Sequence, residues 1–72
     1  MLNMEWNKFL EILEEHEVVR VTEVQEDTGY VKIEVPHTIP MEIDEIIRQN
    51  DILVQKKSRR VFEINVGDLQ RS

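Results

Sequence analysis

Val18-Val19-Arg20-Val21-Thr22-Glu23-Val24-Gln25-Glu26-Asp27-Thr28-Gly29-Tyr30-Val31-Lys32-Ile33-Glu34-Val35 is the stretch whose pattern decides the fold. From Tyr30 onward the residues alternate with the period of two that belongs to a half-buried strand. Val31, Ile33 and Val35 take one face, and Tyr30, Lys32 and Glu34 take the other. The first half alternates less cleanly. Val19 and Val21 share a face while Val24 falls on the opposite one, which predicts either a bulge or a strand covered on both sides. Between the halves, Glu26-Asp27-Thr28-Gly29 reads as a tight turn, with Gly29 supplying the positive φ of a three-residue hairpin loop.

Working outward, the period changes to that of a helix on the N-terminal side. Trp6, Phe9, Leu10 and Leu13 fall at i, i+3, i+4 and i+7, so they form one stripe of a helix from about Met4 to His16 with Asn3 as its cap. The opposite face, Glu5, Lys8, Glu11, Glu14 and Glu15, belongs in water. On the C-terminal side Pro36 ends the strand, Thr38 can cap a second helix, and Pro40 suits a first turn, where its missing amide donor costs nothing. Ile43, Ile46 and Ile47 make the apolar stripe of that helix, and Asn50-Asp51 stops it. Ile52 to Lys56 and Val61 to Val66 read as a second hairpin joined by Lys57-Ser58-Arg59-Arg60, with Phe62, Ile64 and Val66 inward. Gly67 to Ser72 reads as a frayed polar tail.

The expected class is therefore α+β, in the order α-β-β-α-β-β, with a four-stranded antiparallel meander and both helices on one face of it. The two α-β-β halves echo each other: Met4 to Leu10 aligns with Met41 to Ile47, and Tyr30 to Val35 with Val61 to Val66, so a duplication is one origin for them. Two amphipathic helices and two half-buried strands also resemble each other without common descent.

Seventy-two residues make a single domain whose core must include nearly every apolar side chain. With no cysteine, packing alone is expected to hold it, and the composition fits an intracellular, cytoplasmic setting. The apolar runs are too short to cross a bilayer, so no membrane partner is expected. The opening Met1 to Trp6 lacks the pattern of a secretory signal.

No chemistry-bearing constellation stands out. Ser58 and Ser72 have no activating neighbours in the sequence, and with glycine only at positions 29 and 67 no phosphate-cradling loop of the usual form can be built. His16, His37 and Glu34 could form a metal site only if the fold gathered them, and neither Glu26-Asp27 nor Glu42 to Glu45 has the spacing of a calcium loop. The expectation is a non-enzyme with no cofactor and no metal.

The charge is more informative. A net charge of −6 argues against general phosphate binding. It is unevenly spread: residues 1–45 hold three basic against twelve acidic side chains, net −9, and residues 46–72 hold six against three, net +3. Three surfaces are candidates. The uncovered sheet face is expected to carry Arg20, Thr22, Val24, Tyr30, Lys32, Glu34, Val61, Glu63 and Asn65, with Val24, Tyr30 and Val61 as an apolar patch beside Lys32 suited to a homodimer or another protein. The basic turn Lys56, Lys57, Arg59 and Arg60 can meet an acidic protein or, as the runner-up reading, nucleic-acid phosphates. Glu11, Glu14 and Glu15, together with Glu26 and Asp27, make an acidic surface able to imitate phosphates in a small inhibitor, or simply to keep the domain in solution. A non-catalytic protein-binding or regulatory module is the leading expectation.

Overall fold

A computed structural model describes residues 4–69. The elements are α1 (Trp6–Glu15), β1 (Arg20–Gln25), β2 (Tyr30–Glu34), α2 (Met41–Gln49), β3 (Leu53–Lys56) and β4 (Val61–Asn65), so the α-β-β-α-β-β order and the α+β class hold. All three strand pairings are antiparallel. The sheet order is β1-β2-β4-β3, which corrects the meander: β2 lies beside β4, and both hairpins turn outward from that central pair.

The strand alternation becomes a single core. Val31 faces Ile64 and Ile33 faces Phe62 across the central ladder, and all four are buried. Trp6, Phe9 and Leu13 of α1 join Ile43 and Ile47 of α2 against them, so both helices cover the same sheet face. Leu10 and Ile46, expected in the buried stripes, are only partly covered. The helices run antiparallel: the Met4 amide donates to Asn50 Oδ1 at 2.8 Å where α2 ends, and His16 Nε2 lies 3.8 Å from Glu42 where α2 begins.

Of the two expectations for β1, the bulge is the one realised: it sits between Val21 and Glu23, where Thr22 is the extra residue and its hydroxyl donates to the Lys32 carbonyl at 3.3 Å. The turn after it has four residues rather than three, because Gln25 already pairs with Tyr30, and the Gly29 amide closes it onto the Gln25 carbonyl at 2.8 Å. Gly29 does take the positive φ, 85°. A Cβ there would also meet Gly67 Cα at 2.4 Å, so the two glycines of the chain are each other's neighbours.

Both expected helix caps need revision. The N-cap of α1 is Glu5, two residues later than expected, and Asn3 lies outside the described residues. The N-cap of α2 is Pro40 rather than Thr38, and neither cap makes a side-chain hydrogen bond. Burial of Ile43 and Ile47 decides where the second helix starts, and that outweighs the roughly 1 kcal/mol of a good cap. The tail expected to fray is docked as far as Leu69, which is buried, with its amide on the Val66 carbonyl at 3.0 Å. Residues 70–72 lie outside the described residues.

Candidate functional site

The uncovered face of the sheet is built from the residues that alternate with the core. Its rows run across the strands: Gln25, Tyr30, Asn65 and Leu53 make the first, and Glu23, Lys32, Glu63 and Gln55 the second. The third row is Arg20, Glu34 and Val61. The middle of this face is a lattice of opposite charges. Arg20 lies 3.7 Å from Glu34, Lys32 lies 3.7 Å from Glu23, and Lys57 lies 4.0 Å from Glu63. Three cations thus neutralise three carboxylates, each pair being partly solvent-screened and worth little stability.

This layout breaks up the apolar patch expected from Val24, Tyr30 and Val61. The bulge shifts the register so that Val24 pairs with Val31, whose side chain is in the core, and Val24 therefore belongs to the helix-covered side at the sheet margin. Tyr30 and Val61 stay on the uncovered face, but at opposite ends of the central ladder with the Lys32–Glu63 pair between them. Tyr30 has a different apolar neighbour. Leu53, 71% exposed, is in the same row, and a shallow groove lined by Tyr30, Leu53, Gln55, Glu63 and Asn65 lies there.

Leu53 was missed as a site residue. The triplet Ile52-Leu53-Val54 carries the signal, because a strand that buries Ile52 must turn Leu53 to the other side. What the sequence does not show is that β3 is an outer strand, exposed at all four positions. The hydrogen-bond phase of its ladder follows from one contact. The Lys57 amide donates to the Val61 carbonyl at 2.9 Å, so alternation directs the backbone of Leu53, Gln55 and Lys57 at β4 and that of Val54 and Lys56 away from the sheet. The other outer strand, β1, is guarded by its bulge.

The four cations of the basic turn do not share one surface. Lys57 leans over the uncovered face toward Glu63, while Lys56 lies on the helix side with its Nζ 5.9 Å from the centroid of the Phe62 ring. Arg59 and Arg60 stand exposed at the tip. The acidic residues are likewise dispersed: Glu11 is 3.5 Å from Lys8 on the outer face of α1, Glu14 and Glu15 are at its end, and Glu26 and Asp27 occupy the β1–β2 turn.

His16, besides its contact with Glu42, accepts the Val18 amide at Nδ1 at 3.4 Å, and His37 is exposed in the segment before α2. Among the described residues no three histidines or carboxylates converge on a point where a metal could sit. No buried polar or charged residue occurs among them, and no helix is long and apolar enough to cross a membrane. Geometry and topology define a two-layer α+β domain with one charge-paired open sheet face. No protein-family model, curated protein or solved structure matches the chain.

Proposed function

We propose that this is a small non-catalytic binding module that engages protein through the outer edge of β3 and the adjoining groove of Tyr30, Leu53, Gln55 and Asn65. The observation that carries this reading is the exposure of β3, where Leu53 is 71% and Val54 36% exposed beside backbone groups free to extend the sheet. Apolar side chains flank a strand edge that has hydrogen bonds to give.

The test is affinity capture from the native host's extract with three baits. Val54→Pro removes an amide that the protein's own ladder does not use, and edge strands tolerate proline. Species retained by the wild type should be lost by this bait and kept by a Glu14→Lys/Glu15→Lys bait. The opposite pattern would move the contact surface to the acidic helix face and overturn the reading.

A second reading is favoured by the exposure of Arg59 and Arg60 at the hairpin tip: contact with nucleic-acid phosphates through Lys56, Lys57, Arg59 and Arg60. It is weakened by the engagement of Lys57 with Glu63 and of Lys56 with Phe62, which turn two of the four cations to opposite sides of the sheet.

A further inference from the structure

We infer that the occupant of the β3 edge is a second copy of this chain, joined antiparallel about a two-fold axis through Gln55, so that two four-stranded sheets become one of eight. This rests on the reading of β3 as the contact edge and names the partner.

The register follows from which groups are free. Only Val54 and Lys56 present backbone donors and acceptors outward, because Leu53, Gln55 and Lys57 spend theirs on β4 and the Ile52 amide is bound to the Ile47 carbonyl at 2.9 Å. A two-fold axis pairs residue i with residue j and j with i. Three registers bring outward groups together. Pairing Val54 with its own symmetry mate sets Lys56 opposite Ile52, whose amide is already bound to Ile47, so neither Lys56 carbonyl gains a donor. Pairing Lys56 with its own mate sets two ammonium groups side by side, which is destabilising. Pairing Val54 with the second copy's Lys56 satisfies all four outward residues at once, and it sets each lysine stem along a valine rather than against another lysine.

That third register also orders the charges. Antiparallel strands place the start of one β3 against the end of the other, so Asp51, exposed just before β3, comes to the basic tip of Arg59 and Arg60 on the second copy. The contact occurs twice by symmetry. The open-face grooves, each ending at Leu53 and Gln55, then meet across the axis and form one trough. The alternative edge, β1, lacks this complementarity and is interrupted at Thr22.

The absence of cysteine makes the register directly testable. Gln55 faces its own mate in a pair without ladder hydrogen bonds, where Cα atoms are about 4.5 Å apart, within disulfide range. Leu53 lies roughly 13 Å along the strand from its mate, about four residues, and cannot reach. Purified Gln55→Cys should therefore run as a covalent dimer after mild oxidation while Leu53→Cys and Lys57→Cys stay monomeric. Sedimentation of the wild type should show a dimer that Val54→Pro abolishes. Asp51→Lys and Arg59→Glu should each weaken the dimer, and together restore it. Equal cross-linking of the three cysteine variants, or a wild type that stays monomeric across a concentration series, overturns the inference. In the latter case loss of a captured protein on Val54→Pro would still uphold the edge as a contact surface, and its retention would sink both.

Discussion

Asp51 takes a φ of 53°, the left-handed region in which a side chain is disfavoured. Its position explains why: the Ile52 amide reaches the Ile47 carbonyl at 2.9 Å and the Asp51 amide the Arg48 carbonyl at 3.4 Å, a closure of α2 that demands a left-handed residue just past the helix. Glycine meets that demand without strain, so Asp51→Gly should stabilise the monomer by about 0.5–1 kcal/mol after the larger entropy of its unfolded chain is counted. In a thermal melt of dilute protein this is a rise of several degrees, and an unchanged or lower Tm would contradict it. Gly29 is the reverse case. Its φ of 85° and the 2.4 Å that would separate an added Cβ from Gly67 Cα leave no room for a side chain, so Gly29→Ala should cost about 2 kcal/mol or more by chemical denaturation. Phe9, fully buried where α1 meets the sheet, should cost about 3–5 kcal/mol on truncation to alanine, enough to unfold a domain of this size.

Between the elements, the two helices differ in how their ends are charged. α2 has Glu42 and Asp44 in its first turn and Arg48 in its last, whereas α1 has no acidic side chain in its first turn and no basic one in its last. Glu14 and Glu15 instead oppose the negative end of its dipole, so Glu15→Lys should stabilise by a few tenths of a kcal/mol, with a gain in Tm that shrinks as salt is added. A gain insensitive to salt would point to some other cause. The helices, β2 and β4 were legible because each buries one side only: Val31, Ile33, Phe62 and Ile64 repeat every second residue, and Trp6, Phe9 and Leu13 follow the helical spacing. Strand order was not legible, since the β2–β4 pairing joins residues about thirty positions apart and no local feature specifies it. For the same reason Leu53 could not be recognised as part of an outer strand. The broken alternation of β1 allowed either a bulge or a strand covered on both sides, and the consequence for Val24 depended on where an extra residue fell; Thr22 puts Val24 on the core side.

For the whole molecule, the sheet order turns an uneven sequence into a directed charge distribution. With the central β2–β4 pair antiparallel, the β1–β2 turn with Glu26 and Asp27 and the β3–β4 turn with Lys57, Arg59 and Arg60 lie at opposite ends of the sheet, in a chain of net charge −6. A polyanion approaching the basic turn therefore meets a cluster of limited reach backed by a negative body. Lys57 is already drawn to Glu63 at 4.0 Å, and Lys56 sits over Phe62, which leaves Arg59 and Arg60 as the cations best placed for phosphate. Two contacts of this kind give a shallow dependence on salt, because the slope of log K against log salt is about 0.9 for each phosphate neutralised on duplex DNA. Measured by fluorescence anisotropy at physiological ionic strength, binding to duplex DNA or RNA should thus be negligible, and changing Lys56, Lys57, Arg59 and Arg60 to alanine should leave that result as it is. Tight binding with a salt slope near four, lost in the alanine variant, would show that the four cations act together. The lysines would then have to leave their present partners and gather on one side of the hairpin, and phosphate contact would displace the protein edge as the function of this end of the molecule.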